Sequence, residues 1–173
     1  MIASALVLAD PATHRPPAGA GFDLLLLAHV ACVIAGLGAV VVSGVQALRL
    51  LGSANGGPLP ATLLRYFGPG TNWVGRTLYG VPLFGFALLA ASGGAYTLGD
   101  TWVMTGLVLW GVAALCAEGL LWPAERRIQA ALSGNRSAPA PATYRAPARR
   151  VAAVGVVLVV LLVAATVLMV AQP

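Results

Sequence analysis

The chain contains no lysine, and its 173 residues include only five acidic ones: Asp10, Asp23, Asp100, Glu118 and Glu125. Charged residues of both signs make up 9% of it. An ordinary soluble domain carries about 25%. So few charges cannot cover a surface that faces water, which excludes a soluble globular protein. Cysteine is nearly absent as well. Cys32 and Cys116 are the only two, which excludes a disulfide scaffold, and they form no CxxC redox or zinc pair. There is no Gly-x-Ser-x-Gly elbow, no phosphate-binding loop and no pair of mid-chain carboxylates. The chain is therefore not expected to be an enzyme.

What fills the sequence is apolar. Hydrophobic residues account for 59% of it, and the mean hydropathy is +0.88. The 12 prolines and 21 glycines follow no repeat period. Four apolar stretches stand out, at residues 22–48, 73–96, 102–122 and 151–171. Each has roughly the 20 residues a helix needs to cross about 30 Å of hydrocarbon. A lone strand in lipid would leave its backbone unpaired, so helix is the only economical reading. Trp73, Trp102 and Trp122 sit at stretch ends, as interfacial indoles do, while Trp110 lies mid-stretch. The expected fold is an all-α membrane protein, a four-transmembrane-helix bundle.

Four regions follow from this pattern. Residues 1–21 read as an extracytoplasmic tail, because the apolar part at 2–9 is too short to span and lacks the basic flank of a signal peptide. Residues 22–132 form a three-helix membrane core. Residues 133–149 form a Pro/Ala-rich cytoplasmic linker, expected to be extended and mobile. Residues 150–173 make the fourth transmembrane helix. Between the first two spans, residues 61–67 suggest a short amphipathic turn. The third span is expected to stop at Pro123. Pro82 should kink the second and free the carbonyl near Leu78. The fourth, charge-free and poor in small residues, is expected to be peripheral and largely lipid-facing.

All ten basic residues are arginines, and the net charge is +5. Arg49, Arg65 and Arg76 fall between spans one and two. Arg126, Arg127, Arg136, Arg145, Arg149 and Arg150 fall between spans three and four. The other side has Arg15 alone, with Asp10, Asp23 and Asp100. The positive-inside rule places both arginine-rich segments in the cytoplasm and both termini outside. Arginines gathered at span ends belong to a membrane protein, so no nucleic acid is expected as a partner. Membrane lipids are, together with other membrane-protein subunits or a second copy of the chain.

Ala28-His29 in an apolar helix, Gly93-Gly94 closing the next, Trp102 leading the third, and Pro123 followed by Arg126-Arg127 carry a resemblance. Over roughly residues 22–132 the chain resembles a bacterial integral-membrane family called domain of unknown function 2269. That family has no settled activity and is distantly similar to copper-resistance and haem-binding four-helix membrane proteins, which also have a first-helix histidine. The resemblance implies a multi-pass protein of the bacterial plasma (inner) membrane, with haem b or copper as conceivable cofactors.

His29 is the residue that chemistry singles out. It lies about seven residues inside the first span, roughly 10 Å deep. Ionisable groups at such depth face the bundle interior and are functional candidates. A neutral imidazole is also the commonest metal ligand. The alternative is a histidine hydrogen-bonded to a neighbouring helix. Cys32 shares its helix face three residues on. Met104 and Met169 fall in the same outer layer, so His29, Cys32, Met104 and Met169 form a candidate haem or copper set. Cys32 and Cys116 sit at opposite ends of their spans and should not pair. Arg76 and Glu118 lie at matched depth near the cytoplasmic side, and are expected to form a structural intramembrane ion pair whose breakage costs several kcal/mol. Two functions remain open. One is a structural or accessory subunit of a larger membrane complex, such as a respiratory one. The other is a haem- or copper-binding membrane protein with His29 as ligand.

Overall fold

The computed structural model describes residues 19–53, 58–134 and 140–171. Among these residues there is helix and no strand. The elements are α1 (Ala20–Gly52), α2 (Ala61–Tyr66), α3 (Trp73–Arg76), α4 (Gly80–Ala91), α5 (Thr101–Cys116), α6 (Trp122–Gly134) and α7 (Pro141–Ala171). A 3-10 turn, Thr77–Tyr79, runs α3 into α4, and a π turn, Ala117–Leu121, runs α5 into α6. The result is four rods long and apolar enough to cross a membrane: Ala20–Gly52, Trp73–Ala91, Thr101–Ser133 and Pro141–Ala171. The chain is an all-α, four-span bundle. The tail expected at residues 1–21 lies outside the described residues up to residue 18.

α1 has 33 residues, about 50 Å of helix at 1.5 Å per residue, so it outreaches the hydrocarbon. Asp23 in its first turn and Arg49 in its last complement its dipole. The second rod stops earlier than its hydropathy suggests. α4 ends at Ala91, and Gly93 (φ 62°) and Gly94 (φ 91°) turn the chain through the left-handed region. Residues 92–96 therefore form the hairpin to α5, held by the Ser92 hydroxyl, which donates to the Leu89 carbonyl and accepts from the Tyr96 N–H.

Three expectations are corrected. The third span does not stop at Pro123 but continues as helix to Gly134. The wide π turn just ahead, where the Trp122 N–H reaches back to the Ala117 carbonyl, opens the ring of backbone into which a proline would otherwise collide. The linker is not extended over its second half: residues 141–149 are the first turns of α7, with Pro141 at the helix start, where its missing N–H costs nothing. Residues 135–139 lie outside the description.

The fourth span is not peripheral. α7 lies between α1 and α5, and its buried residues Tyr144, Ala148, Val151, Gly155, Leu158 and Leu162 recur at alternating four- and three-residue steps. That spacing is the seam of an antiparallel or coiled-coil-like packing. Gly155 is where α7 comes closest to α1, since a Cβ there would lie 3.6 Å from the Gly44 Cα.

α4 packs mainly on α1, and α5 on α7; α4 and α5 make no comparable contact with each other. At the arginine-rich end α6 closes against α7, and Ile128, Leu132, Tyr144 and Ala148 share one core. The bundle is thus tight at one end and splayed at the other.

Candidate functional site: an apolar chamber with one imidazole

The splay between α4 and α5 leaves a chamber of about 450 Å³ in the half of the bundle away from most of the arginines. All four rods line it. α1 contributes Phe22, Leu26, His29 and Val33; α4 contributes Pro82, Gly85, Phe86 and Leu89. α5 supplies Trp102, Gly106 and Trp110, and α7 supplies Ala165, Thr166 and Met169. No arginine, aspartate or glutamate is among the described lining residues.

The floor is built where the 3-10 turn Thr77–Tyr79 runs into Pro82. Pro82 has no N–H to give the Leu78 carbonyl, and the Trp110 indole donates to that oxygen instead, at 2.9 Å. This gives the mid-span indole its place: its N–H supplies the bond that Pro82 cannot give. Tyr79 meets Trp110 edge-on beneath it, with ring centroids 6.5 Å apart. At the far end Tyr96 and Trp102 meet edge-on at 5.6 Å.

His29 leans into a notch in α4. Gly85 makes the notch, since a Cβ there would lie 3.4 Å from the His29 Cε1. The Nδ1 atom is buried and makes no hydrogen bond; the Val81 backbone comes near the ring without completing one. Cys32 follows the same face one turn on but packs into α4 elsewhere. A Cβ at Gly80 would lie 2.5 Å from its Sγ, so that glycine is required, and Cys32 does not line the chamber. Met169 lines the chamber with its methyl pressed against α5, where a Cβ at Gly106 would meet Cε at 2.6 Å. Met104 is 43% exposed and faces out of the bundle. The structure brings His29 and Met169 to one cavity and leaves Cys32 and Met104 outside it. Both cysteines are free. Among the described residues, no three His, Cys, Asp or Glu side chains come together as a metal site.

A haem b would find an axial imidazole and room in this chamber, but the lining does not match the rest of it. Its two propionates are best met by cations, and no arginine is among the described lining residues. The Met169 thioether is held against Gly106.

Arg76 and Glu118 meet at the tight end. Arg76 Nη1 lies 2.9 Å from Glu118 Oε1, Tyr79 donates its hydroxyl to the same carboxylate oxygen, and the guanidinium stacks 3.9 Å from the Trp122 ring centroid. The two side chains are 29% and 47% exposed on the bundle.

A second polar cluster escaped the sequence reading. Ser43 on α1 donates to Glu125 Oε1 at 2.5 Å and bonds the Tyr66 hydroxyl at 2.6 Å. Ser43 and Glu125 are buried. With the carboxylate accepting from Ser43, Tyr66 becomes the donor to Ser43, and the three residues tie α1, α2 and α6 together. Burial pushes the Tyr66 phenol above its ordinary pKa, and the nearby Glu125 charge pushes the same way. Glu118 and Glu125 are seven residues apart, a spacing that puts both on one stripe of an unbroken helix. The π turn between them changes the phase, sending one carboxylate to Arg76 and the other inward.

A family model described as a predicted integral membrane protein, DUF2269, matches residues 23–173. This chain belongs to the DUF2269 family. The match extends past the stretch on which the resemblance rested and takes in α7, in keeping with the place of that helix at the centre of the bundle. No curated protein and no solved structure matches the chain. DUF2269 therefore supplies membrane integration, and the chemistry has to be argued from the chamber.

Proposed function

We propose that this DUF2269 protein binds a neutral, bilayer-soluble molecule in its outer chamber, with His29 as the polar contact. The observation that carries this reading is the chamber itself, about 450 Å³ walled by apolar and aromatic side chains around one imidazole. Ligand sites have this character: about 300–1,000 Å³, mostly apolar, with a few placed polar groups. Because α4 and α5 make few contacts with each other, a bilayer-soluble molecule can enter the chamber between them.

Copper is poorly served, because the soft donors Cys32 and Met104 lie outside the chamber. The direct test is the content of protein purified in mild detergent, read by visible spectrum, metal analysis and mass spectrometry of an organic extract. One lipophilic compound at near-equimolar amount, lost when Ala165→Phe fills the chamber, is the expected result. A folded Ala165→Phe variant that retains the same compound at the same ratio would overturn the reading.

A further inference from the structure

Resting on the chamber reading above, we infer that the ligand is an isoprenoid quinone or its quinol, with the ring beside His29 and the prenyl tail leaving between α4 and α5. Four observations converge on this class. The lining is uncharged, so the ligand is neutral. With Nδ1 buried against α4, the His29 imidazole has Nε2 left for a ligand, and that nitrogen suits a single hydrogen bond to a carbonyl or hydroxyl on a ring. Phe86, Trp102 and Trp110 present flat aromatic walls, against which a planar ring stacks.

The fourth observation is the way out. α4 is held by α1 and α5 by α7, and the two make few contacts with each other. The gap between them is the way we assign to the tail, into the acyl region of a bilayer, with the Tyr96–Trp102 contact at its far end. A sideways opening serves a molecule that is mostly tail. Haem has no tail and carries two carboxylates. A phospholipid has tails, but its charged head finds no partner in this lining.

The test uses the full-length chain in nanodiscs without added quinone. A short-chain ubiquinone or menaquinone analogue is titrated in, and tryptophan fluorescence is read, because Trp102 and Trp110 line the chamber. Saturable quenching is expected. Ala165→Phe should abolish the saturable part, while Val112→Phe, on the outer face of α5, should leave it unchanged. His29→Ala should weaken binding roughly 3- to 10-fold, the worth of one net hydrogen bond. An organic extract of protein from native membranes should contain quinone. Phospholipid alone in the extract, with quenching that is linear and unaffected by Ala165→Phe, would overturn the quinone assignment. A different neutral lipophile in the extract, lost in Ala165→Phe, would do the same while leaving the chamber reading standing, and a Soret band would overturn both. If Ala165→Phe changes neither the extract nor the quenching, both readings fail together.

Discussion

At the scale of single residues, Arg76 and Glu118 meet as expected, and both lie on rods long and apolar enough to cross a membrane. Removing one partner should lower stability by several kcal/mol in detergent unfolding by stranding the other charge, and replacing both with apolar residues should cost less. Ser43, Tyr66 and Glu125 are the tighter set. Tyr66 gives this set a pH signature. Its phenol titrates above the ordinary value of 10.0 in the folded chain, chiefly because it is buried. The folded state thus keeps a proton that the unfolded state releases near pH 10. The stabilisation this represents is complete below the unfolded pKa and is lost as pH rises through the folded one. The thermal midpoint should fall between about pH 9 and 11, and Tyr66→Phe should flatten that fall while lowering the midpoint at neutral pH. An equally steep alkaline fall in Tyr66→Phe would show that another group carries the effect.

At the scale of elements, α7 shows what hydropathy can and cannot say. A run of Val, Leu and Ala announces a span, but a helix apolar all round gives no sign of which face meets protein. Its only mark is Gly155, which the structure places against Gly44. An added methyl there would sit at ordinary contact distance, so Gly155→Ala should move the thermal midpoint little. Gly155→Leu should force α1 and α7 apart and cost about 1–3 kcal/mol, as overpacking does, measured by unfolding in detergent. Similar midpoints for the two variants would mean that the helices do not meet there.

The same limit explains what else the sequence concealed. Four spans and a Leu78 carbonyl that Pro82 cannot serve were legible because length, proline chemistry and backbone accounting are local. The indole that answers Leu78, the serine that meets Glu125, and the chamber are relations between distant segments. The π turn removed even the local cue, since it rotates Glu125 out of line with Glu118.

At the scale of the whole molecule, orientation follows from arginine. Arg49, Arg65, Arg76, Arg126, Arg127, Arg145, Arg149 and Arg150 all fall on described segments at the tight end, while Asp23 and Asp100 lie at the other. On the positive-inside rule we propose that the tight end faces the cytoplasm and that the splayed end, with the chamber, lies in the outer half of the membrane. This has a consequence for the ligand, because an outer-half chamber exchanges with the outer leaflet. Single cysteines in a chain with Cys32 and Cys116 replaced by alanine would report the orientation. A membrane-impermeant thiol reagent applied to intact cells should label a cysteine placed at Thr97, in the hairpin between α4 and α5, and should not label one placed at Ser137 until the membrane is opened. Labelling at Ser137 in intact cells, with Thr97 protected, would invert the molecule and move the chamber to the cytoplasmic leaflet. The walls, the imidazole and the sideways opening would be unchanged by that inversion. Only the side from which the ligand is drawn would differ.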